Sequence, residues 1–76
     1  MPHITIRAYP GHSEEEKKEL ANAIADDVVR CFSVPREAVS VSIAEVSQEN
    51  WKRDVWDTEM HGPGMRLLVE PGYKMD

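Results

Sequence analysis

Two stretches with strict alternation of apolar and polar residues are the feature that most restricts the fold of this chain. An apolar residue at every second position is the pattern of a β-strand with one buried face. The apolar members are Ile4, Ile6 and Ala8 in the first stretch and Val39, Val41 and Ile43 in the second. The sequence therefore predicts two strands, each with one face against a core.

Between the two strands, apolar residues recur three and four positions apart, which is the period of one helix face. These residues are Leu20, Ala21, Ile24, Val28, Cys31 and Phe32. Ser13 is a suitable N-cap with Glu16 three residues later, as in a capping box, and Pro35 ends the helix because it pushes the residue before it out of the α region. A helix between two strands predicts a parallel βαβ unit with a right-handed crossover. Cys31 is expected to be a small buried hydrophobe.

A second amphipathic segment follows the second strand. Ser47 is the N-cap of a predicted helix from about residue 48 to residue 60, which the His61-Gly62-Pro63-Gly64 turn ends. Trp51 and Trp56 lie on its apolar side. Because residues five apart point about 140° away from each other on an α-helix, the two indoles are not expected to line one small pocket. Trp51 is the favoured pocket residue.

The chain of 76 residues has room for a single domain, residues 1–76, with a thin core. One cysteine excludes an internal disulfide and no Cys/His spacing resembles a metal site, so pairing with a second copy is the expected source of added stability. The net charge of −5 argues against a nucleic-acid partner. Neither a membrane span nor a signal peptide is evident, which predicts a cytoplasmic protein without a membrane partner.

Pro2 directly precedes the first predicted strand. Its small size favours removal of Met1, which would leave a secondary amine held in place by that strand. With Met1 present, the Pro2 nitrogen is a tertiary amide with neither a hydrogen nor a basic lone pair. The processed amine is therefore a candidate base, and the plain alternative is a proline that only begins a strand.

Several motifs together resemble the tautomerase superfamily of 4-oxalocrotonate tautomerase. They are Met1-Pro2-x-Ile4-x-Ile6, Gly11-x-Ser13-x-Glu15-x-Lys17-x-x-Leu20 and Val39-x-Val41-x-Ile43-x-Glu45. The segments Asn50-Trp51, Trp56-Asp57-x-Glu59 and Pro71-Gly72-Tyr73-x-Met75 resemble its dimeric bacterial branch of phenylpyruvate tautomerase-like (PptA) proteins. The resemblance implies an α+β tautomerase fold, a homodimer with one four-stranded sheet, and the amino-terminal proline as catalytic base.

The resemblance also implies where substrate would be held. His12 and Ser40 stand where 4-oxalocrotonate tautomerases carry two carboxylate-binding arginines, so a dicarboxylate substrate is not expected. Trp51 stands at the family's aromatic position and is expected to form an apolar wall, with His12 as a polar contact. Arg7 is a further candidate contact, although Arg7 and His3 are expected to point away from the strand's apolar face. The alternatives are a solvated loop position for His12, a core position for Trp51 and a carboxylate partner for Arg7.

These observations predict a cofactor-independent keto–enol tautomerase, without a metal, that acts on a small 2-oxo monocarboxylate such as phenylpyruvate. Pro2 would act first as general base and then as general acid. Two alternatives stay open at this point. One is a hydrolytic dehalogenase or hydratase that uses a protonated amino-terminal proline. The other is a non-catalytic dimeric binding protein on the same fold.

Overall fold

The computed structural model describes all residues from Met1 to Asp76. The chain divides into two compact units, residues 1–45 and residues 46–76. The prediction that these residues form one domain stays a prediction. No helix in either unit is long and apolar enough to cross a membrane.

The first unit is the predicted βαβ motif. Strand β1 spans His3–Ala8, helix α1 spans Glu14–Phe32, a short 3₁₀ turn covers Arg36–Ala38, and strand β2 spans Ser40–Glu45. The two strands are parallel and form a two-stranded sheet. Helix α1 packs against β2, as expected for a crossover connection.

The register of the two strands follows from the alternation in the sequence. Ile4 lies opposite Val41 and Ile6 opposite Ile43, so these half-buried side chains share one face of the sheet. The opposite face is polar and exposed except at half-buried Ala44, and it begins with His3 opposite Ser40. We refer to this exposed polar side as the outer face of the sheet.

Both ends of α1 form as the sequence predicts. The Ser13 hydroxyl accepts from the Glu16 backbone N–H at 3.1 Å, and the Glu16 carboxylate accepts from the Ser13 N–H at 2.9 Å. At the other end, Ser33 takes a left-handed conformation with φ of 56°, and its N–H donates to the Val29 carbonyl at 3.0 Å. The capping box and the approach to Pro35 therefore set the two ends of the helix.

The predicted apolar stripe of α1 is buried only in its middle. Ala21, Ile24 and Val28 are half-buried, whereas Leu20 is 45% and Phe32 67% exposed. Ala25, which is not part of the predicted stripe, is the one fully buried residue of the helix. The prediction of a buried Cys31 is wrong, because this thiol is exposed. A helix of 19 residues is about 28 Å long, whereas strands of six residues extend about 20 Å, so the sheet is too short to cover the whole length of the helix.

The second unit begins with a short α-helix, α2, over Gln48–Trp51, and continues as a π-helix over Lys52–Met60. The prediction of one α-helix from residue 48 to residue 60 is therefore wrong from Lys52 onward. A π-helix joins residues five apart by hydrogen bonds. The backbone bond at its end has this spacing, because the His61 N–H donates to the Trp56 carbonyl at 3.0 Å. The Lys52 and Asp57 side chains, also five residues apart, form an ion pair at 3.1 Å.

Candidate functional site

Pro2 lies immediately before β1 and is held by the neighbouring strand. The Ser40 backbone N–H donates to the Pro2 carbonyl at 3.2 Å. Pro2 is half-buried and continues the half-buried alternation of Ile4 and Ile6, whereas Met1 is fully exposed. The residue that would carry the reactive amine is therefore anchored on its carbonyl side.

The outer face of the sheet carries a group of hydroxyls around one imidazole. His3 Nδ1 lies 2.6 Å from Ser40 Oγ, and His3 Nε2 lies 3.2 Å from Thr5 Oγ1 and 3.4 Å from Ser42 Oγ. The Ser42 hydroxyl donates to Thr5 Oγ1 at 3.4 Å. We call these four residues the His3 cluster. Arg7 is exposed on the same face, which confirms that His3 and Arg7 point away from Ile4 and Ile6.

A cavity of about 260 Å³ opens on the other side of the sheet, at the carboxyl ends of the strands. Its walls are mostly apolar and include Ile6, Leu20 and Ile43. His12 lies on its polar side together with Lys17. The predicted polar contact His12 therefore borders a concave apolar surface in this unit.

Ion pairs and hydrogen bonds fix the charges around this cavity. Lys17 Nζ lies 3.3 Å from Glu14 Oε1 and 3.5 Å from Glu45 Oε2, and its hydrogen bond to Glu14 raises the pKa of Lys17. The Ser13 backbone N–H, followed by the Ser13 hydroxyl, holds the pKa of Glu16 below its ordinary value. The cavity therefore combines apolar walls with both signs of charge.

The second unit contains an aromatic cluster around Tyr73. Trp51 Nε1 donates to the Tyr73 hydroxyl at 3.2 Å, and the Trp56 and Tyr73 ring centroids are 5.2 Å apart. Trp56 also lies 4.4 Å, centroid to centroid, from His61. Both tryptophans contact Tyr73, although residues five apart on an α-helix would point about 140° away from each other. They do not line one pocket, because Trp56 and not the favoured Trp51 is among the residues that line the cavity described next.

A cavity of about 310 Å³ in the second unit is lined by Trp56, Tyr73 and Met75, among others. Trp51 reaches this aromatic wall through its hydrogen bond to Tyr73. Across the whole chain, no group of three or more His, Cys, Asp and Glu side chains is arranged to hold a metal ion.

The structure separates two of the predicted site residues within one protomer. Pro2 precedes β1 and His12 follows it, so the six residues of the strand, about 20 Å, lie between them. Arg7 lies on the outer face, whereas His12 borders the cavity on the opposite side of the sheet. Trp51 belongs to the second unit.

Sequence reasoning missed the grouping of His3 with Ser40 and Ser42. The signal was present in the two alternating stretches, because aligning their apolar positions in parallel also aligns the polar positions between them. It also missed Tyr73 as the meeting point of both tryptophans. That contact depends on π-helical geometry, which the local pattern does not indicate.

Comparisons with known proteins agree on one family. The family model described as tautomerase enzyme matches residues 2–55. Tautomerase PptA of Enterobacter sp. (strain 638) is 43% identical over 77 residues, which cover 99% of this chain and 100% of that protein.

Solved structures show the same fold. TomN, a 4-oxalocrotonate tautomerase homologue in the tomaymycin biosynthetic pathway, matches with a TM-score of 0.63 and 30% identity over 66% of this chain and 77% of that one. A structure determined in an analysis of trans-3-chloroacrylic acid dehalogenase activity matches with a TM-score of 0.61 and 26% identity over 64% of this chain and 92% of that one. The chain therefore belongs to the tautomerase family, in its 4-oxalocrotonate tautomerase-like group and PptA branch, and is an enzyme of the tautomerase type.

Proposed function

We propose that this enzyme interconverts the keto and enol forms of a 2-oxo monocarboxylate such as phenylpyruvate, with the Pro2 amine as general base and acid. The observation that carries the proposal is the anchored, half-buried position of Pro2 beside Ser40 at the start of β1. Removal of Met1 would convert the Pro2 nitrogen from an amide into a secondary amine at that position. A partly desolvated amine loses its proton more readily than one in water, because desolvation disfavours the cation.

The proton transfers balance without a cofactor. The neutral amine takes a proton from the carbon next to the carbonyl, and the electrons of that C–H bond form the new C=C bond while the carbonyl π electrons move to oxygen. The resulting ammonium then returns its proton to the enolate oxygen. In the reverse direction the amine takes the enol proton and delivers it to carbon, so the same group acts as base and as acid.

The residues at the family's substrate positions favour a monocarboxylate with an apolar tail. Ser40 and His12 replace two arginines, so two bidentate carboxylate clamps are missing. We propose Trp51 as an apolar wall, His12 as a polar contact and Arg7 as a further cationic contact. The mostly apolar cavity beside His12 supports an apolar substrate group.

A homodimer is part of the proposal. Each strand of the two-stranded sheet has an unpaired edge, which a second copy would cover. Antiparallel pairing of these edges about a two-fold axis would place the beginning of a strand in one protomer beside the end of a strand in the other. His12 of the partner subunit would then approach Pro2, although the two residues of one protomer are a strand length apart.

The decisive test compares protein with and without Met1. The intact mass shows whether Met1 is present in each preparation. Ketonisation of phenylenolpyruvate is then followed by ultraviolet absorbance. The processed protein should be active and the Met1-containing protein inactive, because its Pro2 nitrogen is an amide. Pro2→Ala should lower kcat by about 10²-fold or more, the contribution of a positioned general base, since its primary amine is held less rigidly. Equal activity of the two preparations would exclude the amine as the base.

Hydrolytic dehalogenation is the second candidate, favoured by the likeness to the structure studied for trans-3-chloroacrylic acid dehalogenase activity. In that reaction the proline would stay protonated and act as an acid. Chloride release from 3-chloroacrylate, without ketonisation of phenylenolpyruvate, would select this alternative. A processed protein that is inactive on both substrates would favour a non-catalytic binding protein.

A further inference from the structure

The His3 cluster lies within one residue of the proposed base. Ser40 contacts both Pro2 and His3, because its backbone N–H donates to the Pro2 carbonyl and its hydroxyl lies 2.6 Å from His3 Nδ1. His3 also follows Pro2 directly in the chain. All four members, His3, Thr5, Ser40 and Ser42, are exposed on the outer face of the sheet. A substrate beside the Pro2 nitrogen could therefore reach the cluster with a second group.

The charge of the imidazole determines which atoms of the cluster donate hydrogen bonds and which accept them. A neutral imidazole has one donor and one acceptor nitrogen, so one of its hydroxyl neighbours must donate to it. A protonated imidazole donates from both nitrogens, which leaves the hydroxyl hydrogens of Ser40 and Thr5 available to another acceptor. A carboxylate is such an acceptor, since it offers only lone pairs and carries a negative charge. The protonated cluster therefore has the donors and the charge that a carboxylate requires.

The other charged groups on this face also favour an anion. The outward positions of the two strands are His3, Thr5, Arg7, Ser40, Ser42 and Ala44. None of them is acidic, although the net charge of the chain is −5. Glu45, at the end of β2, contributes to the cavity on the opposite side and pairs with Lys17. Arg7 is the other charged side chain among these strand positions, and the Pro2 amine would lie at the edge of the face after Met1 removal.

We propose that the His3 cluster binds the carboxylate of the substrate and that His3 thereby determines specificity for a 2-oxo monocarboxylate. The inference rests on the proposed function, because it places the reacting carbon at Pro2. In this proposal His3 supplies the positive charge that binds the carboxylate, and the Ser40 hydroxyl supplies one hydrogen bond. Ser40 stands at a position where related enzymes carry an arginine. Arg7, the proposed further cationic contact, lies farther along the same face.

The kinetic test separates carboxylate binding from a structural role. Ketonisation of phenylenolpyruvate is compared with that of its methyl ester, which has the same ring and enol but no carboxylate. His3→Ala should raise KM for the acid about tenfold, the size expected when one charge-assisted hydrogen bond is lost at an exposed site, and leave KM for the ester unchanged. His3→Lys should restore much of the acid's binding by keeping a cation. Lys18→Ala, which removes a positive charge from the exposed side of α1, is the matched control.

An equal change in KM for acid and ester on His3→Ala would overturn the inference. The proposed function would stand in that case, provided that activity still requires Met1 removal.

A binding measurement keeps the inference testable if turnover is absent. Titration of processed protein with 3-phenylpropanoate should shift the NMR signals of the His3 ring, and His3→Ala should weaken the affinity about tenfold. 3-Phenylpropanamide, which lacks the charge, should bind the native protein and His3→Ala equally. Unchanged His3 signals at saturating carboxylate would refute the assignment. An inactive processed protein that shows these shifts would instead refute the proposed reaction and retain the carboxylate site.

Discussion

The indole Nε1 of Trp51 donates a hydrogen bond to the hydroxyl of Tyr73 at 3.2 Å, while the ring of Tyr73 lies 5.2 Å from that of Trp56. One tyrosine near the carboxyl terminus thus joins the end of α2 to the π-helix. Because both tryptophans of the chain belong to the second unit, tryptophan fluorescence reports on that unit specifically.

Tyr73→Phe should lower the free energy of unfolding of the second unit by about 0.5–1.5 kcal/mol, because it removes the hydrogen bond from Trp51 and the weak bond from the hydroxyl to Met60 Sδ at 3.9 Å, while it keeps the ring. Denaturant titration followed by tryptophan fluorescence measures the change. Trp51→Phe and the double variant complete a cycle with Tyr73→Phe. The two single effects should not add, since they remove the same bond, and full additivity would show that the bond does not contribute.

Gly62→Ala should destabilise the second unit by about 1–3 kcal/mol, the usual cost of forcing extra atoms into a packed site. Gly62 is buried, and an added Cβ would collide with the backbone carbonyl of Thr58. Gly72→Ala is the matched control, because nothing lies near its Cβ position and its φ is not positive. Equal denaturation midpoints for the two variants would contradict the close approach at Thr58.

Ser13→Ala should cost about 1 kcal/mol of stability in the first unit, because it removes the side chain that caps α1. Ser47 provides an internal comparison, since its side chain makes no capping hydrogen bond at α2. Ser47→Ala should therefore change stability by less than about 0.5 kcal/mol. Thermal denaturation followed by far-ultraviolet circular dichroism measures both. Equal effects of the two substitutions would contradict capping of α1 by the Ser13 side chain.

The stability of the first unit should decrease at both pH extremes for two identified reasons. The pKa of Glu16 is lowered from 4.5, so its contribution is present above that value and is lost as the pH falls through its lower folded-state pKa. The pKa of Lys17 is raised from 10.5, so its contribution is present below that value and is lost as the pH rises through its higher folded-state pKa.

Denaturation midpoints measured across the pH range test this assignment. Glu16→Gln should flatten the acid side of the profile and leave the alkaline side unchanged, whereas Lys17→Met should do the reverse. Both side chains are near solvent, so added salt should reduce each slope. If the denaturation midpoint of Glu16→Gln falls with acid as steeply as that of the native protein, other carboxylates cause the loss of stability at low pH.

Much of the first unit could be predicted before its structure was known. The alternation around Ile6 and Ile43, the Ser13 cap and the break before Pro35 are short-range patterns, and each corresponds to an element seen in the structure. The π-helix was not predictable in the same way. Its apolar residues also fit an α-helix, and contacts such as Trp51 with Tyr73 join residues that are far apart in the sequence.

The sequence by itself determined the elements of the first unit, their parallel topology and the position of Pro2 at the start of a strand, because hydrophobic period, capping and proline geometry act over a few residues. Only the tertiary structure decided which side chains meet across strands and turns. It grouped His3 with Ser40, moved Trp51 and Trp56 onto one tyrosine and left Cys31 exposed. These outcomes depend on strand register, helical pitch and the length of α1 relative to the sheet, and no local stretch of sequence contains those quantities.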